Sequence, residues 1–245
     1  MSVLLFIIRK STGRKLAVIA LACLIGIAGG LLIEPVAGLV SGRLRPIARV
    51  EVPSKAVALT FDITFGENTP GLVLEALNRH GARGTFFVTG PWASSHKEQV
   101  KQMVSSKHEV GSMGYWFEGA TNLTRERVID SIKRASTTIA DLTGKSPIAF
   151  RPPGGTYDDL LISVAMENGQ YTVMWSLDAM DWKNPGADVV IKRVVNNVKP
   201  GDIVRFVASD SSRQTHLALP AIIMALREKG YELLTVSDLL RLSSS

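Results

Sequence analysis

From about residue 55 onward, the chain alternates short apolar, β-prone runs with longer segments in which apolar residues recur at helical spacing. The runs expected to form strands are 57–62, 85–89, 109–112, 148–151, 171–177 and 203–207, with a weaker one at 233–235. The segments of helical period are 72–79, 97–106, 125–142, 160–167, 189–198 and 217–229. A strand followed by a helix, about seven times over, predicts a parallel sheet with right-handed crossovers, either closed as a barrel or open and doubly wound.

The N-terminal part of the chain has a different pattern. Residues 16–33, LAVIALACLIGIAGGLLI, are 18 consecutive positions without a charge. As a helix they would span ~27 Å, just enough for the hydrocarbon core of a bilayer. The basic segment 1–15 precedes them and favours a cytoplasmic N-terminus. We therefore expect a single-pass anchor in the cell membrane with the globular part outside the cytoplasm; a cleaved signal peptide is the alternative.

Residues 34–54 contain Pro35, Pro46 and Pro53 together with two glycines, which predicts a tether between the anchor and the folded part. Residues 55–242 then form one α/β domain. The single cysteine, Cys23, lies inside the apolar run. No disulfide can therefore form within the chain, and the domain must be stable through burial alone.

The charge distribution argues against a nucleic-acid partner. The formal net charge is +6, but residues 1–53 hold seven basic and two acidic side chains, a balance of +5, which leaves +1 for the remainder. Such a domain lacks the surplus that would neutralise a phosphate backbone. The glycine motifs GxGxxG and GxxxxGKS/T are also missing after the first predicted strand, so the sequence gives no support to nucleotide binding.

Charged residues cluster at the carboxyl ends of the predicted strands. Asp62 ends the first strand, Arg151 follows the fourth, and Asp178 and Asp181 follow the fifth. In a parallel α/β barrel these ends converge on one rim, where catalytic groups from several strands meet. Carboxylates and a guanidinium on one rim therefore predict a functional site.

Each of these residues also has a structural interpretation. Asp62 is suited to hydrogen-bonding the loop that follows its strand. Arg151 and the two prolines after it would stiffen a loop, with the arginine paired to a nearby carboxylate. Asp181 and Trp182 would start a helix over a buried indole. Both interpretations stay open for all of them.

The same segments resemble the NodB-homology polysaccharide deacetylases. The residues that carry the resemblance are LTFD at 59–62, FRPPGG at 150–155, DAMDW at 178–182, GDIV at 201–204, SRQT at 212–215 and ALPAII at 218–223. HEVGSMGY at 108–115, TFDITFGE at 60–67 and ASDSSRQT at 208–215 are most similar to the sporulation-associated subgroup. The resemblance implies a distorted (β/α) barrel over about 55–242. It also implies metal-dependent removal of N-acetyl groups from cell-wall or related glycans.

Three matching positions acquire catalytic roles through this resemblance. Asp62 matches the catalytic base, Arg151 the arginine that orients it, and Asp181 the carboxylate beside an acid histidine. Trp182 matches a residue that lines the acetyl pocket. The predicted substrate-binding set also contains Tyr115 and Trp116, because aromatic side chains stack on pyranose rings; core packing is their alternative. Pro153 belongs to the set through the loop that follows Arg151, for which stiffening of the loop is the alternative.

The chain departs from the family pattern at its metal and acid positions. The resemblance places metal ligands at Ile63, Met113 and Phe117, and the acid histidine at Val207. Apolar side chains at these positions supply neither the nitrogen and oxygen ligands of a divalent metal nor a proton. We therefore expect no metal cofactor in this chain, although the family uses one.

Arg205 carries a separate prediction from strand parity. Side chains two apart share a face of a strand, so Arg205 points the same way as Val207, toward the rim-facing interior. An arginine there is costly unless it is paired, and the expected partners are Asp62, Asp178 and Asp181. We expect a buried ion pair that partly replaces the charge of the missing metal. A one-residue register shift, which would expose Arg205, is the alternative.

Three classes of function fit the sequence. The first is a membrane-anchored, exported deacetylase-like enzyme that acts on N-acetylated cell-wall glycan, such as peptidoglycan or spore cortex, through a non-standard or weak site. The second is a catalytically silent relative that binds such glycan. The third is a scaffold in an envelope or spore assembly. The family resemblance favours the cell-wall context, and the departures at the metal and acid positions favour low or absent classical turnover.

Overall fold

The structure is a computed structural model that describes residues 44–116 and 123–243. Its strands are β1 Ala56–Ile63, β2 Thr85–Val88, β3 Glu109–Ser112, β4 Ala149–Phe150, β5 Tyr171–Thr172, β6 Leu177–Asp178, β7 Ile203–Val207 and β8 Glu232–Leu234. Its helices are α1 Thr69–Arg79, α2 Gly90–Ser95, α3 Lys97–Ser105, α4 Arg125–Thr143, α5 Asp159–Glu167, α6 Ala187–Asn197, α7 Thr215–Glu228 and α8 Val236–Leu242. Short 3₁₀ turns follow β4 and β6, at Pro153–Gly155 and Asp181–Lys183.

The strands form one curled, parallel sheet in the order β5-β4-β3-β2-β1-β7-β6, and β8 pairs with the beginning of β1. Every ladder in the sheet is parallel. This confirms the predicted α/β class. The curled sheet forms a half-barrel, which fits the predicted distorted barrel. The predicted helix that precedes it, 16–33, lies outside the described residues, as do 1–15 and 34–43. Within 44–116 and 123–243, no helix is long and apolar enough to span a membrane.

Alternation along β1 decides which side chains reach the barrel interior. Its odd-numbered residues, Val57, Leu59, Phe61 and Ile63, pack in the large apolar cluster between sheet and helices. Ala56 and Ala58 belong to a second cluster inside the barrel, together with Phe87, Met113, Val173 and Ile203. Because strand residues alternate between faces, Thr60 and Asp62 continue the interior set. Asp62 therefore points into the barrel, and Ile63 points away from it.

The same period places Arg205 on the interior face of β7. Ile203 belongs to the interior cluster, whereas Val204 and Phe206 belong to the outer one. Register agrees with this, because Arg205 lies opposite Thr60 of β1 and Asp178 of β6. The alternative of an outward-facing Arg205 is wrong.

The C-terminal helix α8 closes the amino-terminal end of the barrel, here called the base. Val236 and Leu239 of α8 pack in the interior cluster. The amide of Val236 donates to Thr85 Oγ1 at 2.9 Å, and Thr235 caps the helix by accepting from the amide of Asp238. The interior thus has a packed base and a polar rim at the carboxyl ends of the strands.

Residues 44–54, the described part of the predicted tether, lie against the barrel seam. Ile47 bridges to Val173, and the amide of Val50 donates to the carbonyl of Gly201 at 3.0 Å. Arg49 Nε donates to Asp202 Oδ1 at 2.7 Å. Since Val173 follows β5 and Asp202 precedes β7, this segment connects one end strand of the sheet to the start of the strand next to the other end strand, β6.

Two predicted strands are shorter than expected. The predicted strand 171–177 is interrupted between β5 and β6, and only two residues of 148–151 pair as β4. The carbonyls of Val173 and Met174 accept hydrogen bonds from the Arg151 side chain. The backbone at this interruption thus pairs with Ile47 and accepts from Arg151, contacts between distant segments that local sequence does not reveal.

Candidate functional site

Residues from four strand ends meet at the rim. Asp62 lies near the end of β1, Arg151 directly follows β4, Asp178 ends β6, and Arg205 lies in β7. Asp62 and Arg151, two of the three predicted catalytic residues, are in direct contact. The third, Asp181, lies in the turn after β6 and has partners of its own.

Arg151 is completely buried, and each nitrogen of its guanidinium is hydrogen-bonded. Nη1 donates to Asp62 Oδ1 and to Thr60 Oγ1, both at 2.8 Å. Nε and Nη2 donate to the carbonyls of residues 173 and 174, at 3.2 and 3.0 Å. The guanidinium carbon also lies 4.0 Å from the centre of the Phe87 ring. Burial lowers the pKa of Arg151, and the neighbouring Asp62 carboxylate opposes that effect.

Asp62 is shared by two guanidinium groups. Its Oδ1 accepts from Arg151, and its Oδ2 accepts from Arg205 Nε at 2.6 Å. Arg205 Nη1 also donates to Asp178 Oδ2 at 3.1 Å. The carboxylate group of Asp62 is therefore enclosed, and the residue is only 4% exposed.

These contacts confirm the buried ion pair predicted for Arg205. Burial alone would lower its pKa, but the attraction of Asp62 and Asp178 outweighs burial and raises it. The indole of Trp175 lies against the same group, with the guanidinium carbon 4.3 Å from the ring centre. Two cations and two carboxylates thus form a neutral, hydrogen-bonded cluster, here called the rim cluster: Asp62, Arg151, Asp178 and Arg205.

The side chains at this site do not fit the divalent metal that the family resemblance implies. Both oxygens of Asp62 are held by guanidinium groups, Ile63 packs in the outer apolar cluster, and Met113 packs in the interior one. Within the described residues, no group of three or more histidine, cysteine, aspartate or glutamate side chains is arranged to hold a metal ion. Phe117 lies outside them. A metal would also have to compete with the permanent charge of Arg205.

Asp181 joins two loops of the rim rather than the rim cluster. Its carboxylate accepts from the Val207 amide at 2.9 Å, from Thr215 Oγ1 at 2.6 Å and from the Trp182 amide at 3.0 Å. Burial raises the pKa of Asp181 to about 6, although these hydrogen bonds act in the opposite direction. At the position that the resemblance gives to an acid histidine, only the backbone of Val207 contacts this carboxylate.

A second carboxylate fixes the neighbouring loops. Asp210 accepts from the amides of Glu67, Asn68 and Thr69, at 2.9, 3.1 and 2.8 Å. These hydrogen bonds lower its pKa. The loop after β1 is thereby attached to the loop after β7. Sequence analysis missed Asp210, because its partners lie about 140 residues earlier in the chain.

The predicted substrate-binding residues differ in how much surface they present. Trp182 is 45% exposed, with Lys183 Nζ 5.1 Å from its ring centre. Tyr115 and Trp116 are half-buried under Arg134, whose guanidinium carbon lies 4.0 and 5.0 Å from their ring centres. Pro153 is buried. Trp182 is therefore the predicted residue best placed to contact a ligand. Trp175, which covers the rim cluster, was not predicted, since it lies within a segment expected to be a plain strand.

Comparison with known proteins gives consistent matches. The family model described as polysaccharide deacetylase matches residues 49–173. A peptidoglycan-N-acetylglucosamine deacetylase of Bacillus cereus is 36% identical over 196 residues, which cover 78% of this chain and 92% of that protein. The uncharacterised protein YlxY of Bacillus subtilis is 27% identical over 208 residues, covering 85% of this chain but 64% of its own length.

A solved structure with a similar fold is that of a pseudoenzyme of carbohydrate esterase family 4 from Bacillus anthracis. It superposes with a TM-score of 0.75 at 31% identity, covering 80% of this chain and 69% of that one. A mutant of the same pseudoenzyme, described as having restored enzymatic activity, matches equally well.

Arg205→Met should lower the free energy of unfolding by roughly 3–5 kcal/mol, because the buried Asp62 and the half-buried Asp178 lose a shared cation. Chemical denaturation of the full-length chain measures the change. Arg213→Met is the matched control: Arg213 is exposed, and its loss should matter by less than ~0.5 kcal/mol. Equal midpoints for the two variants would contradict the structural role of the rim cluster.

Asp181→Asn should change how stability depends on pH. The ordinary pKa of 3.8 rises to about 6 in the folded chain, so the folded state binds more protons between these values. The contribution of Asp181 to the free energy of unfolding of the native chain therefore falls as pH rises from about 4 to 6. Relative to the native chain, the free energy of unfolding of Asp181→Asn should increase by at most about 3 kcal/mol as pH rises from 4 to 7.

Denaturation series of both proteins across this pH range provide the measurement. Burial lowers the pKa of His108 to about 4, which gives the opposite dependence on pH. That contribution is present in both proteins, so it cancels in their difference. A difference that stays constant from pH 4 to 7 would show that Asp181 does not titrate in this window.

Proposed function

Because the chain belongs to the polysaccharide deacetylase family, we propose that it binds N-acetylated cell-wall glycan and does not carry out metal-dependent deacetylation. The observation that carries the proposal is the enclosure of Asp62 between two guanidinium groups. A general base must offer a carboxylate oxygen to the attacking water. Here both oxygens of Asp62 already accept from Arg151 and Arg205, and little of the residue reaches solvent.

The other parts of the hydrolytic site support the same proposal. Amide hydrolysis needs a proton donor for the leaving amine and a group that stabilises the developing oxyanion. Val207 has no proton to donate from its side chain, and Ile63 faces the helix layer instead of the interior. Because these positions are apolar, Asp62 stands at the rim without the proton donor and the metal ligand that the family pattern would place at Val207 and Ile63.

The B. anthracis relative makes this interpretation more specific. That protein is described as a pseudoenzyme, and a mutant of it as having restored enzymatic activity. The same fold can therefore lose enzymatic activity and regain it by mutation. For the present chain we infer similarly that the fold of the family is retained and that its hydrolytic activity is lost. The competing proposal is a weak deacetylase that uses the rim in a non-standard way.

Position in the cell is a further part of the proposal. The apolar run 16–33 would anchor the chain in the cell membrane and place the barrel on the extracytoplasmic side, where cell-wall glycan is found. Relatives named as peptidoglycan deacetylases support this context. A role in sporulation rests on the resemblance of three sequence segments alone.

The exposed side of the rim provides a surface for sugar rings. Trp182 presents an indole, and Phe65, in the loop after β1, is 56% exposed. Asp181 and Asp210 hold the surrounding loops in place, so these side chains start from a fixed backbone. A preorganised aromatic surface reduces the entropy lost on binding.

The full-length chain should release no acetate from N-acetylglucosamine oligomers or peptidoglycan fragments above background, with or without added Zn²⁺ or Co²⁺. Acetate detection after long incubation is the measurement, and Asp62→Asn is the control variant. Acetate release by the native chain that Asp62→Asn abolishes would establish the weak deacetylase instead. A metal bound tightly at about one per chain, and lost in Asp62→Asn, would also overturn the proposal.

Trp182→Ala should weaken binding of these oligomers at least tenfold, because it removes an exposed indole on which a sugar ring can stack at the rim. Titration calorimetry with the full-length chain measures the affinity. Tyr171→Ala is the matched control, since Tyr171 is a 54% exposed aromatic residue at the start of β5, away from the rim. Equal losses in the two variants, or no binding by the native chain at millimolar oligomer, would contradict the predicted surface.

A further inference from the structure

A basic cleft lies at the base of the barrel, at the opposite ends of the strands from the rim. It has a volume of about 290 Å³, and a smaller recess of about 170 Å³ adjoins it. The cleft lies between the C-terminal ends of α3 and α4, the first residue of β3 and helix α8. The charged residues that line it, here called the basal cleft, are Arg83, Lys107, Glu109, Lys145, Asp238 and Arg241.

Four basic and two acidic side chains line this cleft, a surplus of two positive charges. The acidic groups are already engaged. Glu109 accepts from Thr85 Oγ1 and from the amide and hydroxyl of Ser237. Asp238 is shared by Arg83 and Arg241, at 2.9 and 2.6 Å. Two guanidinium groups thus share one carboxylate.

The two lysines of the cleft carry the surplus. Neither Lys107 nor Lys145 forms an ion pair with a carboxylate in the described part of the chain. Both follow the ends of helices, α3 and α4, and both are exposed. His108, between them and the interior, accepts from the amide of Gly84 through Nδ1 and therefore adds no charge.

Lys107 occupies a backbone position that favours glycine. Its φ is +64°, and it ends α3 with its amide donating to Val104 while the next amide donates to Met103. This is the helix-ending geometry in which the left-handed residue is usually glycine. Helix α4 ends in that usual way, with Gly144 at φ +77° directly before Lys145. A lysine that accepts backbone strain beside a basic cleft indicates that its side chain has a use there.

We propose that the basal cleft binds the phosphate group of a small phosphate ester. Lysine ammonium groups act as point charges that suit a tetrahedral dianion, whereas carboxylates prefer the bidentate fork of an arginine. The charges of both arginines of the cleft are shared with Asp238, whereas the two lysines have no carboxylate partner in the described residues. The cavity exceeds a bare phosphate ion and leaves room for the esterified alcohol. This inference is independent of the function proposed for the rim.

The test measures binding of inorganic phosphate and of glycerol 3-phosphate to the full-length chain by titration calorimetry, with acetate as the monoanion. Native protein should bind both phosphates at least tenfold more tightly than acetate. Lys107→Gly should weaken phosphate binding at least tenfold and leave the thermal midpoint equal or higher, because glycine relieves the strained φ. Loss of binding would then not come from unfolding.

Two further variants complete the design. Lys145→Gln should weaken phosphate binding to a similar extent, whereas Lys192→Gln on the exposed face of α6 should leave it unchanged. Sedimentation with phosphatidylglycerol vesicles, competed by glycerol 3-phosphate, separates a lipid headgroup from a soluble ester as the source. Phosphate binding no tighter than acetate binding, or equal effects of the Lys107 and Lys192 variants, would overturn the proposal. Failure here leaves glycan binding at the rim untouched.

Discussion

The burial of Arg151 is the constraint on which the top of the barrel depends. A fully buried guanidinium is stable only when its charge is paired and its donors are satisfied. Asp62 and Thr60 of β1 meet part of this need, and the carbonyls after β5 meet the rest. One side chain thus connects strands that are four positions apart in the sheet, and the carbonyls it uses lie in the interruption between β5 and β6.

Arg205 extends that constraint across the other side of the barrel. Without Arg205, the rim would hold three carboxylates, those of Asp62, Asp178 and the nearby Asp181, with Arg151 as the main buried cation. Arg205 adds a second positive charge between two of them, with Trp175 covering it. The carboxylate that a deacetylase would use as its base is, in this chain, the counter-ion of two arginines. A permanent cation of this kind stabilises the fold without the exchangeable ligands that catalysis by a metal requires.

How far the sequence predicts this arrangement depends on the range of the contacts. Parity along β7 predicted Arg205 inside the barrel, with an outward orientation as the alternative, because strand alternation is local. Asp62 was predicted at the rim because it ends the first predicted strand. The lengths of β4, β5 and β6 were predicted less well, since the backbone after β5 has partners in distant segments, Ile47 and the Arg151 side chain. Asp210 and Trp175 were missed because their partners are set by loop packing between distant segments. The short helix α2 was missed as well: Thr89, expected in a strand, instead caps it by accepting from the amide of Trp92.

The two ends of the barrel therefore differ in how their charges are arranged. At the rim, buried charges must balance, and each carboxylate of the rim cluster has a guanidinium partner within 3.1 Å. At the base, α8 closes the interior with apolar side chains, so the charged groups there stand at the surface and need not balance. An internally neutral rim interacts weakly with ions but keeps exposed aromatic surface, which suits an uncharged N-acetylated sugar. The unbalanced base has lysines without a carboxylate partner in the described residues, which suit an anion. The two proposed ligands would thus be recognised by different residues.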